Sequence, residues 1–192
     1  KFKYPNSNNF EISNVKLNIL KGQKIGIIGP SASGKTTIIE ILIGISEPTE
    51  GSITVDGKSV FSNIKGWQKL IGLVPQKTFI LDESLRNNIL FGLDKKKYTD
   101  DQIISLIKKI NLGNLLKRLT DGLDGNLGEE GINLSGGEIQ RIGLGRALIY
   151  DPEVLFLDEA TSSLDIDIES QILDELKIFK EKTIISIAHR IS

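Results

Sequence analysis

The sequence predicts an α/β fold: a mostly parallel sheet covered by helices, with an antiparallel β subdomain and an inserted α-helical subdomain. Three observations predict it. Gly29-Pro30-Ser31-Ala32-Ser33-Gly34-Lys35-Thr36 satisfies G-x-x-x-x-G-K-[ST], a phosphate-binding loop, between a short apolar run and a helical pattern. Runs apolar at nearly every position, such as Val154–Leu157 and Thr183–Ala188, alternate with helical stretches, as in a sheet covered on both faces. Gly29, Gln76, Asp158 and His189 each follow closely on such a run, and ligands of parallel sheets sit beyond the carboxyl ends of the strands.

The loop's chemistry follows from its geometry. Its glycines let the backbone curl until successive N–H groups point at one anion. The helix that starts there adds its positive dipole end beneath the phosphates. Lys35 supplies a mobile charge for β- and γ-phosphates, and the Thr36 hydroxyl, with Thr37 next to it, suits Mg²⁺. The loop therefore points to a nucleoside triphosphate.

Composition narrows the rest. At 192 residues the chain can bury roughly 70% of its unfolded surface. Its 24 Lys and Arg against 25 Asp and Glu favour neither nucleic acid nor an anionic lipid surface. Without cysteine there is no disulfide or thiol chemistry. No run of eighteen apolar residues exists; the longest candidate, 38–45, is broken by Glu40 and Gly44. The chain lacks an initiator Met, begins close to Tyr4 and stops just after a predicted strand, so it reads as an excerpt of a longer polypeptide.

Taken in order, the chain opens extended, with Pro5 biasing Tyr4 away from helix. Residues 6–9 form a turn cluster, and 15–20 alternate and predict a strand. Lys24–Ile28 is a buried strand, 35–43 a helix, and 52–55 with Asp56-Gly57 a hairpin. Ile71–Val74 is another strand, ended by Pro75. From 77 to 137 the pattern turns helical, at 84–90, 100–110 and 112–119, with Thr99 and Gln102 forming a capping box. The core resumes with a helix from Ser135, the strand Val154–Leu157, an amphipathic stretch at 168–179 and the strand Thr183–Ala188. Core and β subdomain thus occupy 1–76 and 138–192, and the helical subdomain 77–137. Trp67 is read as a packing residue.

Asp158-Glu159 ends a buried run. Beside a phosphate loop, Asp158 can hold Mg²⁺ through water and Glu159 can orient or deprotonate attacking water. His189 is the single histidine. A lone histidine is more often structural, yet its place at a strand end favours contact with the γ-phosphate region. Leu134-Ser135-Gly136-Gly137-Glu138 is a second helix start, with Ser135 at the cap position. Chemistry alone leaves it open between a plain cap and a second anion site.

That pentapeptide resembles the signature motif of ATP-binding cassette (ABC) ATPases, and the rest of the chain matches the family's set in order. Tyr4 resembles the aromatic that stacks on adenine, Gly29 to Thr36 the Walker A loop, and Gln76 the Q-loop glutamine. Asp158 resembles the Walker B carboxylate, Glu159 its catalytic neighbour, Ser163-Leu164-Asp165 the D-loop, and His189 the switch histidine. The resemblance implies a P-loop NTPase (RecA-like) fold. It implies ATP and Mg²⁺, with Thr36, Gln76 and Asp158 toward the metal, and Glu159 and His189 catalytic. A second ABC ATPase domain in an ATP-sandwich dimer would place its Ser135, Gly136, Gly137, Glu138 and Asp165 on the facing nucleotide. Residues 81–92 and 121–131 are similar to exporter-type domains, although Glu130 stands where exporters often have Arg. The implied role is to power export or flipping through a transmembrane domain, fused or associated, at the cytoplasmic face of a membrane, with no nucleic-acid partner. The rival is a soluble ABC protein of DNA repair, translation or cluster assembly. By the same resemblance the domain is truncated at its C-terminus. Gly143 and Gly145 stand where Ala is usual, and each is read as drift that costs its helix about 1 kcal/mol.

Overall fold

The computed structural model describes residues 1–5, 10–30, 32–128, 134–158, 176 and 179–188. Phe2–Lys3 (β1) pairs antiparallel with Glu11–Ile12 (β2), and Lys24–Ile28 (β3) leads through the glycine-rich loop into Lys35–Leu42 (α1). Thr54–Val55 (β4) and Lys58–Ser59 (β5) form a hairpin. Asp56 and Gly57 take φ of 50° and 77°, the left-handed pair that a two-residue turn matched to strand twist requires. Ile64–Gln68 (α2) precedes Ile71–Val74 (β6). Then come Leu85–Ile89 (α3), Asp100–Lys109 (α4) and Gly113–Arg118 (α5). Gly136–Leu148 (α6), Val154–Leu157 (β7) and Thr183–Ala188 (β8) complete the described elements.

Four strands form one parallel sheet in the order β3-β8-β7-β6. Alternate residues of its strands feed two cores. Val74, Leu155, Leu157 and Ile184 face α6 and the helices α3 to α5, whose Leu85, Ile103, Ile107 and Leu115 join the same continuous cluster. Ile71, Phe156, Ile185 and Ile187 face α1 through Ile39 and Ile43. Trp67 packs on this second cluster and donates its indole N–H to Leu42 O at 2.8 Å, the packing role expected of it. The capping box at Thr99 and Gln102 is present, and Ser84 caps α3.

Three expectations need correction. Residues 15–20 form no strand: Asn14, at φ 56°, turns the chain out of the line of β2, and Val15, Leu17 and Leu20 stay 48–60% exposed with no ladder partner among the described residues. β3 is not buried along its length but alternates, one face half-covered at Ile25 and Ile27 and the other open, with Ile28 51% exposed. Gly143 and Gly145 are not drift. A Cβ at Gly143 would collide with Thr78 Oγ1, and one at Gly145 would lie 2.5 Å from Ile89 Cδ1, so both glycines bring α6 close to its neighbours. The amphipathic stretch at 168–179 falls almost wholly outside the described residues.

Candidate functional site

Because the four strands run parallel, their carboxyl ends share one edge of the sheet, where Gly29, Gln76 and Asp158 stand. The loop after β3 is held in shape by left-handed backbone at Ala32, φ 62°, and at Gly34, φ 91°. A Cβ at Gly34 would also come 2.9 Å from Phe10 Cζ and 3.0 Å from Ile12 Cδ1, so a larger residue would push both side chains aside. Pro30 O accepts from Ser33 N, closing the turn, and α1 begins immediately after Gly34, its first N–H groups directed at the loop.

Lys35 is 5% exposed, and its ammonium donates to Gly29 O and Pro30 O, both at 3.0 Å. A cation thus sits inside a ring of loop backbone. Thr36 is exposed and donates its hydroxyl to Asp158 Oδ1 at 3.2 Å, joining the start of α1 to the end of β7. The Asp158 N–H in turn bonds Val74 O, extending the β6–β7 ladder by a residue and fixing that carboxylate at the sheet edge. Thr37 is buried and faces Tyr4, whose hydroxyl lies 3.0 Å from Thr37 Oγ1 and donates to Glu40 Oε2 at 3.0 Å. Tyr4, Phe10, Ala32, Gly34, Lys35, Thr36 and Thr37 surround a cavity of about 310 Å³.

Tyr4, Gly29, Pro30, Ala32, Ser33, Gly34, Lys35, Thr36, Thr37 and Asp158 are therefore gathered in one place. Ser135, Gly136, Gly137 and Glu138 start α6 at the helical side. There Ser135 Oγ accepts from Glu138 N, Glu138 returns the bond to Ser135 N at 2.9 Å, and Arg118 pairs with Glu138 at 3.1 Å. Ser135 and Gly136 remain exposed. Gln76 connects the two regions, its main-chain oxygen accepting from Gln140 Nε2 of α6 at 3.3 Å. Ser31, Glu159, Asp165 and His189 lie outside the described residues, as does Glu130.

A second concavity, of about 420 Å³, opens beside the Gln76 segment between Ile45, Pro75, Phe79, Phe91, Arg146 and Tyr150. Phe79 and Phe91 meet edge to face and are 55% and 49% exposed, while Leu85 is fully buried and belongs to the core. The guanidinium of Arg146 lies 4.9 Å from the Phe79 ring centre, and its half-burial lowers its proton affinity from the ordinary value. Sequence reasoning missed Phe10, Glu40, Gln140 and Arg146. Phe10 was hidden because it lies between the turn cluster read at 6–9 and the strand read at 15–20; Gln140 and Arg146 looked like ordinary polar positions of a helix.

Comparison with known proteins identifies the family. Residues 12–162 match the family described as ABC transporter. The chain is 40% identical, over its full length, to ABC transporter B family member 1 of Dictyostelium discoideum, of which it covers 21%. It is 38% identical, again over its full length, to an export ATP-binding/permease protein of Rickettsia bellii, of which it covers 33%. Among solved structures, a bacterial Atm1-family ABC exporter with ATP bound superposes with a TM-score of 0.85 at 32% identity, over 98% of this chain and 33% of that one. The chain thus spans a fifth to a third of the length of these relatives. A phosphate loop tied to the carboxylate at the end of β7, on a sheet shared with such relatives, leads to one conclusion: this chain belongs to the ABC transporter family, as an ATPase domain of the exporter type.

Proposed function

We propose that this domain hydrolyses ATP with Mg²⁺ and thereby powers export or flipping of a substrate by a transmembrane partner, fused or associated, at the cytoplasmic face of a membrane. The observation that carries the reading is the bond from Thr36 to Asp158 at 3.2 Å, which brings two hard oxygen donors together beside the loop. Oxygen donors suit Mg²⁺, and among the described residues no cluster of three or more His, Asp or Glu competes as a metal cage. Such a donor set matches a cation that keeps waters and shares phosphate oxygens. Mg²⁺ would neutralise charge on the transferring phosphoryl group.

The chain's own residues divide the remaining work. Lys35 exchanges its two loop carbonyls for phosphate oxygens, and the loop's backbone N–H groups up to Thr37, Pro30 having none, cradle the phosphates. Tyr4 stacks on adenine, with Phe10 beside it at 5.8 Å. Glu159 orients or deprotonates the attacking water, and His189 hydrogen-bonds the γ-phosphate region. The helix start at Ser135, Gly136 and Gly137, of which Ser135 and Gly136 are exposed, completes the site of a second copy in a two-fold dimer together with Glu138 and Asp165. The apolar groove at Phe79 and Phe91 takes the transmembrane partner.

Glu159→Gln tests the reading in one experiment. It preserves size and hydrogen-bonding shape while removing the base, so ATP binding survives and hydrolysis falls by about 10²-fold or more. Size-exclusion with Mg-ATP should then show an accumulating dimer, and Lys35→Ala should show none. A Glu159→Gln protein that turns over near the wild-type rate, with no ATP-dependent dimer, would place the base elsewhere.

A further inference from the structure

One face of α6 meets residues 76–79 position by position. Gln140, Gly143 and Arg146 recur at helical spacing on that face. Gln140 Nε2 donates to Gln76 O at 3.3 Å. Gly143 leaves room for the Thr78 side chain, and Arg146 Nη1 donates to Phe79 O at 2.7 Å. Arg146 also donates to Asn88 O at 2.6 Å and Asn88 Oδ1 at 2.8 Å, which ties α6 to α3 as well. The segment is therefore docked on the helix that begins at Ser135.

Gln140 is the unusual member. It is 7% exposed, and only its amide N–H group is used toward Gln76; its Oε1 has no hydrogen-bond partner among the described residues, and neither has Thr78 Oγ1. A buried oxygen left without a partner costs at least as much as one neutral hydrogen bond returns. An apolar side chain of similar length would fill this place more stably, so stability alone does not account for the amide. What the amide does supply is a hold on one carbonyl, that of Gln76, from a helix whose first turn is the second candidate anion site.

We infer that Gln140 is a positioning residue for the metal–phosphate site: its amide holds the Gln76 carbonyl and so sets where the Gln76 side chain stands relative to the helix that starts at Ser135 to Gly137. This rests on the reading that Gln76 reaches the metal. In the protein that carries this chain, Gln140→Met removes the donor while keeping length and apolar bulk. The effect is confined to metal binding and travels through the Gln76 side chain.

The probe is Mn²⁺, titrated by electron paramagnetic resonance in the presence of a non-hydrolysable ATP analogue, with nucleotide affinity in EDTA and thermal melting measured alongside. Gln140→Met should raise the Mn²⁺ midpoint roughly tenfold, the lower range for losing an outer hydrogen-bond partner of a metal site. Affinity in EDTA should not change. In a Gln76→Ala background the same substitution should add nothing, because no side chain remains to be positioned. An equal shift in both backgrounds, or no shift from Gln140→Met where Gln76→Ala gives one, overturns the inference and leaves the site reading standing. If Gln76→Ala itself gives no shift while Asp158→Asn does, the assignment of Gln76 to the metal fails, and the inference with it. Should Gln140→Met not fold, Gln140→Glu replaces it. At about pH 8 its carboxylate cannot donate, and on acidification the protonated carboxyl can, so the deficit relative to wild type should close as pH falls; a deficit constant with pH counts against the inference.

Discussion

Substitution of Tyr4 separates the bonds its hydroxyl makes from the adenine stacking proposed for its ring. Its ring lines the cavity of about 310 Å³ over the phosphate loop, packed edge-on against Phe2 at 4.9 Å, and its hydroxyl is tied to α1 through Thr37 and Glu40, both at 3.0 Å. Stacking on adenine is worth about 0.5–1.5 kcal/mol, so Tyr4→Ala should weaken ATP binding by up to about tenfold. The two hydroxyl bonds are half-buried and each contributes about 0.5–1.5 kcal/mol of stability, so Tyr4→Phe should lower the melting temperature by a few degrees, at about 2–4 °C per kcal/mol, with affinity held. Tyr4→Trp keeps a π-face and loses the hydroxyl, and should resemble Tyr4→Phe in both measurements. Isothermal titration with ATP beside a melting curve reads both effects. If Tyr4→Ala binds ATP as tightly as wild type, the ring is not the adenine platform. If Tyr4→Phe loses as much affinity as Tyr4→Ala, the hydroxyl's hold on α1 is what matters.

Gly145→Ala should destabilise the domain even though Ala is the better helix former. Overpacking against Ile89 Cδ1 and Ile110 Cδ1, in fully buried surroundings, costs about 1–3 kcal/mol against the roughly 1 kcal/mol that helix propensity returns, and Ile89→Val should restore much of the loss in a denaturant titration. Arg86 holds Asp100 and Asp124 by paired hydrogen bonds, which keep both carboxyls below the ordinary value of 3.8. A depressed carboxyl stabilises above its unfolded value and loses that contribution as pH falls, so the melting difference between wild type and Arg86→Gln should shrink below about pH 4. Phe79→Ala should leave basal hydrolysis intact and reduce stimulation by transport substrate in the membrane-reconstituted full-length protein; unfolding seen by circular dichroism would instead make Phe79 a packing residue.

Short-range chemistry made much of this protein legible from its sequence. The phosphate loop, the hairpin at Asp56-Gly57, the cap at Thr99 and the apolar runs β6, β7 and β8 depend on residues close together in the chain, and each formed where its pattern lies. Long-range pairing decided the rest. Alternation at 15–20 looked like a strand, yet a strand needs a neighbour to bond, and the chain, turned at Asn14, meets none among the described residues. β3 read as a buried strand, but which face of a strand is covered depends on what packs against it, and here only the face of Ile25 and Ile27 is half-covered. Gly143 and Gly145 looked like losses of helix propensity, because the cost of a Cβ is set by Thr78 and Ile89, distant in sequence and adjacent in space. Thr36 and Asp158 were each nameable from local pattern; their bond, across 122 positions of chain, exists only because parallel strands bring their carboxyl ends to one edge.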